Sequence, residues 1–174
     1  MASGEDSGYV LVSSDGQECP VSEKVVKMSQ VLKELCEHCS DKKIPLPDID
    51  GSVLEKVVEF CKKYENESEY IPPKAGDPDN KIPSHDSWDM QFLFVDHDFL
   101  LKIINAANYL HIPRLIDACC YRLALMIQGR GVEEIRRIFM IENDFTPEEE
   151  ERMRREHIWY DCPLPPYPKF AQNN

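Results

Sequence analysis

Wound as a helix, the stretch "PRLIDACCYRLALMIQG" (113–129) is apolar almost all the way round. Leu115, Ile116, Cys119, Cys120, Leu123, Leu125, Met126 and Ile127 exceed what one stripe could bury, so this helix must be central to a domain or covered by something else. The next pattern, "VEEIRRIF", sets Val132, Ile135, Ile138 and Phe139 close to a single face. The last helical signal has the opposite defect. Thr146 is a good N-cap, Pro147 suits the first helical position, and Glu149 can close a capping box. Glutamates 148 to 151 sit at the positive end of the dipole, with Arg152, Arg154 and Arg155 toward the negative end. Glu148–Arg152, Glu150–Arg154 and Glu151–Arg155 are i,i+4 pairs in the favourable order, worth about 0.2–0.5 kcal/mol each. Yet only Met153 and Ile158 between Pro147 and Trp159 are aliphatic and large. The chain supplies too little apolar surface to cover its own C-terminal helices, which suggests a partner bringing apolar helices of its own.

Upstream, "YVLVSSDGQECPV" reads as a strand over 9–12, an Asp15-Gly16 turn and a short second strand. Ser22 caps a single predicted helix in which Val25, Val26, Met28, Val31, Leu32, Leu35 and Cys36 form the inward stripe. "IPLPDI" is a short extended segment whose prolines confine it to an edge or a loop. Asp50 can cap the following helix, with Val53, Leu54, Val57, Val58 and Cys61 facing inward. Residues 65–87 carry Pro72, Pro73, Pro78 and Pro83 among acids and read as a polar loop, order resuming near Trp88 and Phe92. Helical signals then cover 97–110, 113–128, 132–140 and 146–158. The plan is an α+β, mainly helical chain with a small sheet. Residues 1–7 are expected to be disordered, 8–128 to form the α+β domain, 129–162 a helical extension, and 163–174 a Pro-rich tail.

The chain has 174 residues and a formal net charge of −12, which argues against nucleic acid or an anionic membrane as partner. No apolar run reaches the length of a membrane span, and "MASGEDSGYV" lacks the marks of a signal peptide, so a cytoplasmic and nuclear protein is expected. The seven cysteines are odd in number and irregularly spaced, as reduced core thiols would be. "CEHC" (Cys36, His38, Cys39) finds no second pair to complete a zinc site, so no metal and no other cofactor is expected. No phosphate loop, nucleophile elbow or His-Glu-x-x-His pattern occurs, so no catalytic residue is assigned.

On a helical wheel, "FLLKIINAANYL" places Phe99, Leu100, Ile103, Ile104, Ala107 and Leu110 on a core arc. Leu101, Asn105, Asn108 and Tyr109 fall on the opposite side at i, i+4, i+7 and i+8. That side reads either as a solvated face with one stray leucine or as a contact patch, since Tyr and adaptable polar groups suit interfaces.

"SSDGQ", "IPLPDI", "SWDMQFL", "INAANYLHI", "GRGVEEIRRIFMIENDFTPEEEE" and Trp159 resemble, in order over about residues 8–162, the S-phase kinase-associated (Skp) adaptor family of SCF ubiquitin ligases. The resemblance implies a BTB/POZ-type domain followed by the helical extension. It also implies a non-catalytic adaptor bridging a cullin to an F-box substrate receptor. By the family pattern Asn108 and Tyr109 belong to the cullin contact, to which the wheel adds Leu101 and Asn105. Leu123, Met126, Ile127, Ile135, Phe139 and Trp159 match the F-box contact, and Met153 and Ile158 join them as the charged helix's own apolar residues. The charged helix would then be one wall of a core completed by the F-box, although folding back of Met153, Ile158 and Trp159 onto Phe139 is the alternative.

The chain departs from the family where "CSDKK" replaces a long acidic insertion, Gly131-Val132 replaces a capping Thr-Pro, and Phe94 replaces a Lys. These changes suggest a divergent paralogue with a restricted choice of partners. Two other readings stand beside the adaptor: an F-box-binding POZ-like scaffold outside cullin ligases, and a thiol redox protein using Cys36 and Cys39. Self-association is compatible with the sequence.

Overall fold

The computed structural model describes residues 8–38, 42–74 and 83–156. They divide into two units, one ending at Tyr121 and one beginning at Arg122. The first opens with a hairpin of Tyr9–Val12 (β1) and Glu18–Val21 (β2), paired antiparallel. Gly16 turns the chain between them at φ 81°, a left-handed conformation that costs an L-residue about 1–2 kcal/mol. Lys43–Pro45 (β3) joins the other side of β1 in parallel, giving the order β2-β1-β3. Pro20 and Pro45 therefore lie on edge strands, the positions in a sheet that tolerate a missing N–H. Leu11 stands opposite Cys19 on one side and Ile44 on the other, and all three are buried on the same face.

That face is covered by helices. Glu23–Lys27 (α1), Gln30–His38 (α2), Gly51–Tyr64 (α3), Trp88–Phe92 (α4) and His97–Tyr109 (α5) belong to the first unit, and Pro113–Ile127 (α6) runs across the division. The core of the unit is built by Leu32, Leu46, Leu54, Phe60, Met90, Leu93, Leu100, Ile103, Leu110 and Ile112, all almost wholly shielded. Burial pushes the Cys61 and Cys119 thiols up to about 12, so both are inert hydrophobes. Cys120 departs from the expectation of core thiols, being exposed, and Cys36 is only half-buried. Phe99 and Ile104, expected in the core, are half-buried too. The described parts of the 65–87 loop carry neither helix nor strand, as expected, while Cys39 and the two termini lie outside the described residues.

The helix expected from Ser22 to Cys36 is instead two. Ser22 does cap α1, its hydroxyl accepting the Val25 N–H at 3.3 Å. The break comes at Ser29, which is 0% exposed. Its hydroxyl donates to the Leu110 carbonyl at the end of α5 and accepts the Leu32 N–H at 3.1 Å, which starts α2. A side-chain hydroxyl that finds buried partners competes with helix continuation, and here it prevails.

Asp50 corrects a second expectation. It occupies the N-cap position of α3 but makes no capping bond; its carboxylate accepts from Lys102 Nζ at 2.9 Å instead. The Gly51 N–H is taken by Asp15, from the β1–β2 turn. A Cβ on Gly51 would sit 2.3 Å from Gln17 Oε1 and 2.7 Å from Asp15 Oδ1, so the turn lies against the helix only because position 51 is glycine.

The second unit holds the rest of α6, Val132–Ile138 (α7) and Pro147–Glu156 (α8). Within it Arg122 and Leu125 are buried, whereas α7 and α8 contain no buried residue.

Ser29→Ala strands the Leu110 carbonyl and the Leu32 N–H together. We expect a loss of about 1–3 kcal/mol, read as a lower urea midpoint with an unchanged slope. A midpoint equal to that of the unaltered chain would show that the buried hydroxyl constrains nothing.

Candidate protein-binding surfaces

The first surface is the outer strip of α5. Asp96 caps this helix, its carboxylate accepting the N–H groups of Asp98 at 3.0 Å and Phe99 at 3.2 Å. The helix buries Leu100, Ile103, Ala106 and Ala107. Those anchors turn Leu101, Asn105, Asn108 and Tyr109 outward together, and all four are exposed, with Leu101 at 41% and Tyr109 at 44%. Lys102 borders the strip and is held away from it by Asp50. Phe94, just before α5, is 60% exposed. The strip is an aromatic and an aliphatic group set among amides, a composition suited to protein contact.

The second surface belongs to the second unit. Ile127 is exposed, and Leu123, Met126, Ile135, Phe139 and Met153 are half-buried. Ile158 and Trp159 lie outside the described residues. Three large apolar side chains missed by the sequence reading join the set: Met140, Ile141 and Phe145 are all exposed, Met140 at 73%. They escaped because they lie between helices, where no 3.6-residue period marks a face.

Met140 carries a second signal. Its φ is 51°, and the Ile141 N–H bonds the Arg136 carbonyl at 2.9 Å across it. This is the Schellman ending of α7, with methionine at the position glycine usually fills. A left-handed methionine costs about 1–2 kcal/mol, and here its side chain is exposed.

Polar bonds hold this unit's end together where apolar burial does not. Arg136 reaches Glu133 at 3.1 Å and Glu150 at 3.3 Å, and its guanidinium lies 5.7 Å from the Phe145 ring centre. Asn143 also donates to Glu150, at 3.2 Å. Glu151–Arg155 forms as expected, at 3.3 Å, whereas Glu150 turns to Arg136 and Asn143. The capping box of α8 is complete: the Glu149 N–H meets Thr146 Oγ1 at 3.3 Å, and the Thr146 N–H meets Glu149 Oε2 at 2.9 Å. Gly131 caps α7 without a side-chain bond.

For a metal, Asp96, His97 and Asp98 bring ligand atoms within 4.8 Å of one another. Asp96 is already engaged as a cap, and the positive end of a helix dipole disfavours a cation there.

Comparisons with known proteins agree across the chain. Residues 8–66 match the model of the Skp1 family, tetramerisation domain, and residues 113–160 that of the Skp1 family, dimerisation domain. A protein of Arthroderma otae named E3 ubiquitin ligase complex SCF subunit sconC is 43% identical over 165 residues, covering 91% of this chain and 98% of its own length. Proteins of the same name from Talaromyces marneffei and Aspergillus flavus are 42% and 44% identical, over 88% and 86% of this chain and 97% and 93% of theirs.

The Thr146 N–H first, and its hydroxyl second, hold the Glu149 carboxyl below the ordinary 4.5. A lowered folded value means that the box stabilises α8 above pH 4.5 and is lost as pH falls through that lowered value. We expect the Glu149 carboxyl ¹³C shift to titrate below 4.5, and Thr146→Ala, which removes the hydroxyl but keeps the N–H, to raise its midpoint only in part. A midpoint at the free value in the unaltered chain would mean that the box does not form.

Proposed function

The chain belongs to the Skp1 family, and from that membership we propose that it is a non-catalytic adaptor of an SCF-type ubiquitin ligase, joining a cullin scaffold to an F-box substrate receptor. Its first unit is a POZ-type α+β domain. The observation that carries the reading is the exposure of apolar groups on each unit: Leu101 and Tyr109 on one, Ile127, Met140, Ile141 and Phe145 on the other. Two such sets in an acidic chain suit a protein whose task is to hold two others.

On this reading, the strip of Leu101, Asn105, Asn108 and Tyr109 takes the cullin. Leu123, Met126, Ile127, Ile135, Phe139 and Met153, with Ile158 and Trp159 beyond them, take the F-box. The residues do no bond chemistry. The adaptor raises the effective concentration of a receptor-bound substrate near the transfer machinery, and catalysis stays with other subunits. Met140, Ile141 and Phe145 extend the F-box surface beyond the residues that the helical pattern suggests, and the strained Met140 is the one most exposed. The protein would act in the cytoplasm and the nucleus.

The double substitution Asn108→Lys, Tyr109→Lys tests the assignment, with both partners presented as purified domains. Cullin binding should weaken at least about a hundredfold, as central interface residues do, while F-box binding persists. Loss of both with the fold intact would overturn the two-surface assignment. Binding of an F-box alone by the unaltered chain would favour a scaffold outside cullin ligases.

A further inference from the structure

A groove of about 550 Å³ opens in the first unit beside the end of α5, outside the strip already described. Met28, Ile112 and Pro113 give it an apolar lining, and Tyr64 and Tyr70 add aromatic surface. Most of its polar groups are spoken for. Lys24 donates to Asn66 at 2.8 Å, and Tyr70 donates to Asp117 at 2.7 Å. Arg114 pairs with Glu67 at 2.7 Å and lies 3.4 Å over the Tyr64 ring. Glu65 accepts from the Ser22 hydroxyl at 2.9 Å.

Three basic side chains remain. Lys27, Lys33 and His111 line the groove, and no hydrogen bond or ion pair among the described residues engages their side chains. Lys24, Lys27, Lys33 and Arg114 share the groove with Glu65, Glu67 and Glu69, and in a chain of net charge −12 Lys27 and Lys33 are the cations left there without a bonded partner among the described residues. The break at Ser29 makes this arrangement, since it ends α1 after Lys27 and starts the helix that carries Lys33. Ser29 also fixes the carbonyl of Leu110, one residue before His111.

We propose that this groove continues the α5 surface and receives an extended segment of the same partner, carrying a carboxylate for Lys27, Lys33 and His111 and an apolar side chain for the lining. The inference rests on reading the α5 strip as the cullin contact. Continuity supports it: His111 follows Tyr109 by two residues, a span of at most about 7 Å, so a partner seated on Tyr109 reaches the groove without a long excursion. Charge selects the chemistry. The acids Glu65, Glu67 and Glu69 on the same groove would repel a compact polyanion such as a phosphate cluster or a nucleic-acid backbone. A peptide, with a single carboxylate directed to the lysines and the rest of its length uncharged, escapes that repulsion. Charges of this kind set association rate and salt dependence more than total affinity.

The test uses the full chain and the purified N-terminal domain of a cullin. Lys27→Glu with Lys33→Glu should weaken binding roughly tenfold and flatten its dependence on salt, with an unchanged thermal midpoint as the control for folding. Carbodiimide, which joins amines to carboxylates in direct contact, should link Lys27 or Lys33 of the unaltered chain to a partner acid identifiable by mass spectrometry. If the unaltered chain binds the cullin and the reversal changes neither affinity nor salt dependence, the groove is not part of the contact. If the unaltered chain binds no cullin, the α5 reading fails and this inference falls with it.

Discussion

The buried hydroxyl of Ser29 ties together the parts of the first unit on which its surfaces depend. One atom ends the α1 region, starts α2 through Leu32 and holds the carbonyl that terminates α5. The α5 strip faces outward because Leu100, Ile103, Ala106 and Ala107 anchor the other side of the helix. The end of that helix, where Tyr109 and His111 stand, is positioned by a contact with a residue 81 positions earlier in the chain. Such a bond contributes about 1 kcal/mol net. Its larger effect is geometric, because a buried hydroxyl with two fixed partners leaves the α5–α6 turn little freedom.

The second unit follows a different principle. Its last two helices bury no residue, and their ends are joined by Arg136, Glu150 and Asn143 rather than by a core. The Arg136–Glu150 pair is part-buried and the Asn143–Glu150 bond exposed; ion pairs near the surface contribute about 0–1 kcal/mol each, too little to order two short helices alone. The capping box and the Schellman ending bias these segments toward helix. They leave open the apolar side chains that a third body could cover. On the proposed reading that body is an F-box.

Much of the fold was legible because the signals were local and periodic. The 9–12 strand, the Asp15-Gly16 turn, the capping box at Thr146 and Glu149, and the cores of the later helices all rest on neighbouring residues. So does the outward face of α5. The misses are long-range. Ser29 breaks a helix for the sake of Leu110, and Asp50 leaves its cap for Lys102, 52 positions away, while Asp15 takes the helix end that Asp50 vacates. Leu110, Lys102 and Gly51 all lie far along the chain from the residues that reach for them, although Ser29 also has a local partner in Leu32. Met140, Ile141 and Phe145 were missed for the converse reason, since a link between helices has no period to betray an apolar set.

On the proposed reading, the helices after Arg122 complete their burial only against a partner. Hydrogen exchange across residues 122–156, with and without a purified F-box domain, tests it most directly. The account predicts weak protection of α7 and α8 in the chain alone and strong new protection on binding, with the first unit unchanged. Full protection of those helices without a partner, or no change when the F-box is added, would contradict it.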